Sequence, residues 1–153
     1  MSRALDITSA DPRSDDGRAL LGASHALMHS LYPDAAIFAL SVDALCAPHI
    51  RFFIAWHQDE ALGCVALAQK DGYGEVKSLF VAPEARGSGA GAALMAHLER
   101  AARAAGLPDI YLETGDTLDV AHRLYASCGY RICSPFGDYA EGPYSVFMHK
   151  ALG

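Results

Sequence analysis

The stretch Arg86-Gly87-Ser88-Gly89-Ala90-Gly91 brings together residue types that bind phosphate. Glycine permits positive φ and lets a ligand approach the main chain closely. A helix predicted to begin here adds unpaired N–H groups and the positive end of a dipole. Arg86 contributes a fixed charge whose forked donors suit phosphate oxygens. Two common phosphate sites fit less well. A Walker loop needs Gly-Lys-Ser/Thr, and no such run follows. Gly87-x-Gly89-x-x-Ala92, with Glu113 about twenty residues on, matches a dinucleotide fingerprint. In that fingerprint, however, the first glycine comes directly off a strand, and here Ala82 to Arg86 intervene. Other candidate chemistry is thinner. His25 and His29 are spaced i, i+4 on a predicted helix but lack the Glu of HExxH and a third ligand, so no metal is expected. Cys128 falls on a different helical face from Tyr125, which argues against a nucleophilic cysteine there. No GxSxG elbow is present.

The elements that must position the loop follow from periodicity. Residues 3–7 read as a first strand. Ser14 or Asp15 caps a helix through Leu20, Leu21, Ser24, Leu27, Met28 and Leu31. A second short helix is expected from Ser41 through Val42 and Leu45, stopping before Pro48. Three strands follow at 50–56, 62–68 and 75–81, with Asp71-Gly72 as a hairpin signal, giving an antiparallel meander rather than a βα unit. After the glycine loop, Leu94, Leu98, Ala101, Ala102 and Ala105 form the stripe of a long helix that Gly106 ends. A strand at 110–113, a helix capped by Asp119 and ended by Gly129, and strands at 130–133 and 144–150 complete the chain. This order implies an α/β (α+β) fold. Its sheet is mixed, mostly antiparallel, with six to seven strands flanked by about four helices.

Bulk properties bound the partners. A chain of 153 residues, 52% apolar and 20% charged, has the length and composition of one folded domain, residues 1–153. A net charge of −6 carries no basic stripe, so no nucleic acid partner is expected; an acidic surface attracts cationic amines. Cys46, Cys64, Cys128 and Cys133 form no CxxC or zinc spacing, which points to a reducing, cytoplasmic compartment. Residues 1–16 lack the apolar core of a signal peptide. No apolar run reaches the roughly 18 residues of a membrane span, so a soluble protein with no membrane partner is expected.

The run Val81-x-Pro83-Glu84-x-Arg86-Gly87-x-Gly89-x-Gly91 resembles the acetyl-CoA loop of the GNAT N-acetyltransferases. Downstream, Ala121-x-x-Leu124-Tyr125-x-x-x-Gly129-Tyr130 resembles a second motif of the same family. The order of elements is similar too, so the resemblance covers nearly the whole chain. Leu112-Glu113-Thr114-Gly115 and Pro135-Phe136-Gly137-Asp138-Tyr139 look like stretches of a subgroup of small bacterial members. One position departs: many members carry a cofactor-binding Asn where this chain has Leu118.

The resemblance implies a GNAT fold, acetyl-CoA as cosubstrate with no metal, and acetyl transfer to a primary amine by direct attack in a ternary complex. The acceptor would be a small molecule or amino-acid-like compound. A protein N-terminus or lysine is the alternative acceptor, and a non-catalytic acyl-CoA-binding module is the rival from another class. Main-chain groups of Leu79, Phe80 and Val81 would pair with the pantetheine arm as an added strand does. Arg86, Gly87, Ser88, Gly89, Ala90, Gly91 and Ala92 would hold the pyrophosphate. Glu75 takes the family position of a general base, and Tyr125 that of the acid protonating the departing thiolate. The plainer readings, given less weight, are a solvated charge at a strand start for Glu75 and a packing aromatic for Tyr125. Tyr32, Phe38, Asp138 and Tyr139 are candidates for the acceptor side. The family's last strands often pair subunits, which places a homodimer among the expected partners.

Overall fold

The structure, a computed structural model, describes residues 4–153. Arg3, placed above in the first strand, lies outside the described residues, as do Met1 and Ser2. In chain order the elements are β1 (Asp6–Ser9), α1 (Asp15–Leu31), β2 (Ile50–His57), β3 (Glu60–Gln69), β4 (Gly74–Val81), α2 (Ala90–Ala104), β5 (Asp109–Gly115), α3 (Asp119–Ser127), β6 (Arg131–Cys133) and β7 (Ser145–Ala151). All seven strands form one sheet in the order β1-β2-β3-β4-β5-β7-β6. Only β4 and β5 run parallel; every other neighbouring pair is antiparallel.

Helix ends obey local chemistry. Ser14 Oγ accepts from Gly17 N at 3.1 Å, and Asp15 and Asp16 complement the dipole of α1. The C-terminus of α2 is closed by paired bonds from Gly106 N to Arg103 O and from Leu107 N to Ala102 O, with Gly106 at φ +77°. Two expectations shift. The helix expected from Ser41 is a single 3-10 turn, Ala44–Cys46, because Pro48 follows closely and only Leu45 is buried. Among the described residues, three α-helices rather than about four therefore flank the sheet. Asp119 is the first residue of α3 rather than its cap; Leu118 stands at the cap without a side-chain bond.

Both faces of the central strands are covered, so β2 reads as a continuous apolar run. Phe53 and Ala55 join Leu62, Leu67, Leu94, Met95 and Leu98 under α2. Phe52 and Ile54 join Leu20, Leu21, Leu45 and Phe80 under α1.

The feature that makes a site is a break in β4. Cys64 of β3 faces Phe80 and Ala66 faces Lys77, so Ser78 and Leu79 together oppose one residue of β3. Ser78 adopts φ +57°, a left-handed conformation that costs energy for any residue with a Cβ. Such a bulge bends its strand. The parallel pairing of β4 with β5 covers only Gly74 to Val76 against Ile110 to Leu112, and beyond it the two strands part.

Candidate active site

The opening between β4 and β5 continues into a cavity of about 670 Å³. Its walls include Leu79, Phe80 and Val81, then Arg86, Gly87, Gly89, Ala90, Gly91 and Ala92, and on the far side residues 117–121, Arg123 and Leu124. The cradle fits a phosphate group. Gly87 and Gly89 take φ +82° and +88°, and a Cβ added at either would meet no atom within 4 Å, so both main-chain segments face open space. The first α2 hydrogen bond runs from Ala93 N to Gly89 O, which leaves the N–H groups of Gly91 and Ala92 ahead of the ladder. Ser88 stands outside the wall, and its Oγ accepts from Ala90 N at 3.3 Å. Gly91 is glycine for a different reason: a Cβ there would come within 2.9 Å of Leu124 on α3.

A smaller chamber of about 100 Å³ adjoins it. Ser24, Met28, Leu79, Leu118 and Ala121 line both spaces. Its wall also includes Lys77, Ser78, Glu113, Tyr125 and Phe38. Tyr125 is buried, and its hydroxyl makes no hydrogen bond among the described residues. Burial, with the nearby Glu113 and Cys128 charges, raises its pKa well above the ordinary phenol, so it holds its proton and can donate.

Glu75, the expected base, lies under this chamber rather than in its wall. It is 4% exposed. Its Oε2 accepts from Tyr139 Oη at 2.6 Å and from Lys77 Nζ at 3.3 Å. Lys77 Nζ also donates to Phe38 O and to Tyr139 Oη, each at 3.0 Å. Burial first, then the hydrogen bond and charge of Glu75, push the Tyr139 phenol up. Phe38 and Tyr139 meet edge to face at 5.2 Å. Two candidates of the acceptor side are thus brought together, but through Lys77 and Glu75.

The other two are not. Tyr32 is buried beneath the β5–α3 connection, where its Oη accepts from Thr117 N at 3.1 Å; a Cβ at Gly115 would collide with its ring. Asp138 is exposed on its loop and lines neither space. No role toward the acceptor was expected for Glu113, Lys77, Ser78 or Arg123. Glu113 lies on the partly exposed face of β5, alternating with buried Ile110, Leu112 and Thr114, so the strand pattern carries no signal for it. Two cysteines are held as thiols: burial pushes Cys64 up to about 12, and burial first raises Cys128 as well. Among the described residues, no group of three His, Cys, Asp or Glu could hold a metal ion, and no helix is long and apolar enough to cross a membrane.

Comparison with known proteins agrees with this geometry. Residues 18–130 match the acetyltransferase (GNAT) family. The chain is 38% identical to the IAA acetyltransferase of Azospirillum brasilense, across 97% of this chain and 98% of that protein. A solved protein from Klebsiella pneumoniae, assigned as an acyl-CoA N-acyltransferase, superposes with a TM-score of 0.82 at 31% identity, covering 97% of this chain and 98% of that one. A Bacillus subtilis acetyltransferase solved in complex with CoA shares the fold at TM-score 0.73 and 20% identity, covering 97% and 99%. The chain belongs to the acetyltransferase (GNAT) family.

Proposed function

We propose that the whole chain acts as one domain that moves an acetyl group from acetyl-CoA to the primary amine of a small-molecule acceptor, by direct attack in a ternary complex. The observation that carries this reading is the continuity of the two spaces, which share five wall residues. The larger has a phosphate cradle at one end, and the smaller ends at a protonated tyrosine.

Residues Arg86, Gly87 and Gly89 to Ala92 would hold the pyrophosphate, and the main chain of Leu79 to Val81 would bind the pantetheine arm. That donor supplies an activated acetyl thioester. The protein's contribution is mainly positioning, which can account for much of such a rate enhancement. Tyr125 gives its proton to the departing sulfur. The amine, protonated near neutral pH, must first lose a proton, and two carboxylates stand near the chamber: Glu75 on β4, beneath it, and Glu113 on β5, in its wall.

The test is release of CoA from acetyl-CoA in the presence of a panel of amines and amino acids. Turnover with a compact amine supports the reading; turnover only with peptide N-termini or lysines replaces the small acceptor with a protein. Calorimetry with CoA and NAD side by side checks the donor, and tighter NAD binding would sink the proposal.

A further inference from the structure

We propose that Glu113 takes the proton from the acceptor's ammonium in the small chamber, while Glu75, locked to Lys77 and Tyr139, is a positioning residue for the chamber wall. The inference rests on the acetyl-transfer function proposed above and names the residue that makes the acceptor reactive.

The two carboxylates differ in what is left for a ligand. Glu75 lies outside the wall and is committed to two donors. Glu113 is in the wall, beside Tyr125. Its Oε2 accepts from Ser145 Oγ at 2.8 Å, and its Oε1 has no hydrogen bond among the described residues. Ser78, in the same wall, carries a buried Oγ with no partner. An ammonium has three N–H groups to give, and acceptors without donors in the chamber wall are its complement. The wall has no spare cation to match an anionic group. Lys77 is the one Lys, Arg or His among the wall residues described, and its ammonium is already bonded to Phe38 O, Glu75 and Tyr139.

Burial raises the Glu113 pKa above the ordinary carboxyl range, against the opposing Ser145 hydrogen bond and Lys77 charge and with the Glu75 charge adding to it. Lys77 and Glu75 from β4, Tyr125 from α3, Ser145 from β7 and Tyr139 from the preceding loop are the groups that bear on it. A more basic carboxylate is a better match to proton removal near neutral pH.

The step balances. One ammonium proton passes to Glu113 and later to solvent. The freed nitrogen lone pair forms the C–N bond at the thioester carbonyl as the C–S bond breaks. Tyr125 protonates the sulfur and recovers a proton from the acylated nitrogen. The products are the amide, CoA thiol and one released proton.

The experiment compares Glu113→Gln with Glu75→Gln across pH, using a strongly and a weakly basic amine. Glu113→Gln should lower kcat/KM about 100-fold below the amine's own pKa. The deficit should shrink as pH rises and with the weakly basic amine, because free amine no longer needs the carboxylate. Glu75→Gln should raise the acceptor KM and leave the acidic limb of the profile in place. An acidic limb lost in Glu75→Gln and kept in Glu113→Gln overturns the assignment. A second measurement needs no turnover: the carboxyl 13C resonance of Glu113, in protein without acetyl-CoA, should move on adding the amine. A resonance that stays put overturns the inference while acetyl transfer stands. Wild-type protein that acetylates no amine defeats the function itself.

Discussion

Among the described residues, two Lys–Glu–Tyr triads, each built on a buried glutamate, are close to chemical copies. Lys77, Glu75 and Tyr139 are joined by bonds of 2.6 to 3.3 Å. In the other, Lys150 Nζ donates to Glu99 Oε1 at 2.7 Å and to Cys128 O at 2.7 Å, and Tyr130 Oη donates to Glu99 Oε2 at 3.2 Å. Both tyrosines are pushed well above the ordinary phenol, by burial first and then by their glutamate. Their surroundings differ. The Lys150 triad ties α2 to β7 and to the end of α3, away from either cavity wall. The Lys77 triad ties β4 to the segment carrying Phe38 and the loop carrying Tyr139, against the chamber. The same three residue types thus serve helix packing in one place and the shape of a chamber wall in the other, and only the distance from a cavity tells which.

The largest expected effect breaks the packing triad. Glu99→Gln leaves the Lys150 ammonium without its charge partner and should cost about 3 kcal/mol in urea unfolding, with turnover per folded molecule unchanged. A loss of turnover beyond the loss of folded protein would merge the two triads into one role. Next, Tyr130→Phe deletes one hydrogen bond to a carboxylate, worth about 2 kcal/mol, and Tyr139→Phe deletes the one to Glu75 together with the one accepted from Lys77. Only Tyr139→Phe should also raise the acceptor KM, by roughly five- to tenfold if half to two-thirds of about 2 kcal/mol bears on binding. Equal KM values in the two variants would erase the distinction. Phe38→Ala should raise the acceptor KM a few-fold and leave the KM for acetyl-CoA in place, since its ring touches Tyr139 and not the phosphate cradle.

The smallest effect separates Glu113 from both triads. Its pKa is raised on folding. The stability gained from its protonated form is fully present below the unfolded carboxyl value of about 4.3 and is lost as pH rises through the folded value. The unfolding free energy of wild type relative to Glu113→Gln should therefore fall between pH 4 and pH 8 in urea titrations. A difference that does not change with pH would place Glu113 in an ordinary solvated environment.

What the sequence made legible was local. The phosphate cradle is a contiguous run whose glycines, arginine and following helix can be recognised without knowing the fold. The seven strands and the ends of α1 and α2 followed from short-range period and capping. The triads could not be read the same way. Tyr139 reaches Glu75 across 64 positions, Phe38 reaches Lys77 across 39, and Tyr130 reaches Glu99 across 31. The bulge escaped as well: nothing in the alternation of residues 75–81 requires Ser78 to turn left-handed. The bulge and the end of the β4–β5 pairing fall within three residues of one another, and neither is announced by residue type.

The same bulge leaves a seam that a ligand can finish. Past Val76, the side of β4 that faces β5 has no strand partner among the described residues, so the sheet carries an unfinished edge in its interior rather than at its rim. A ligand bound along that edge to the folded form alone would add about 2.7 kcal/mol to stability at a hundred times its Kd. Resistance to unfolding, measured with and without CoA, would then read the occupancy of the seam.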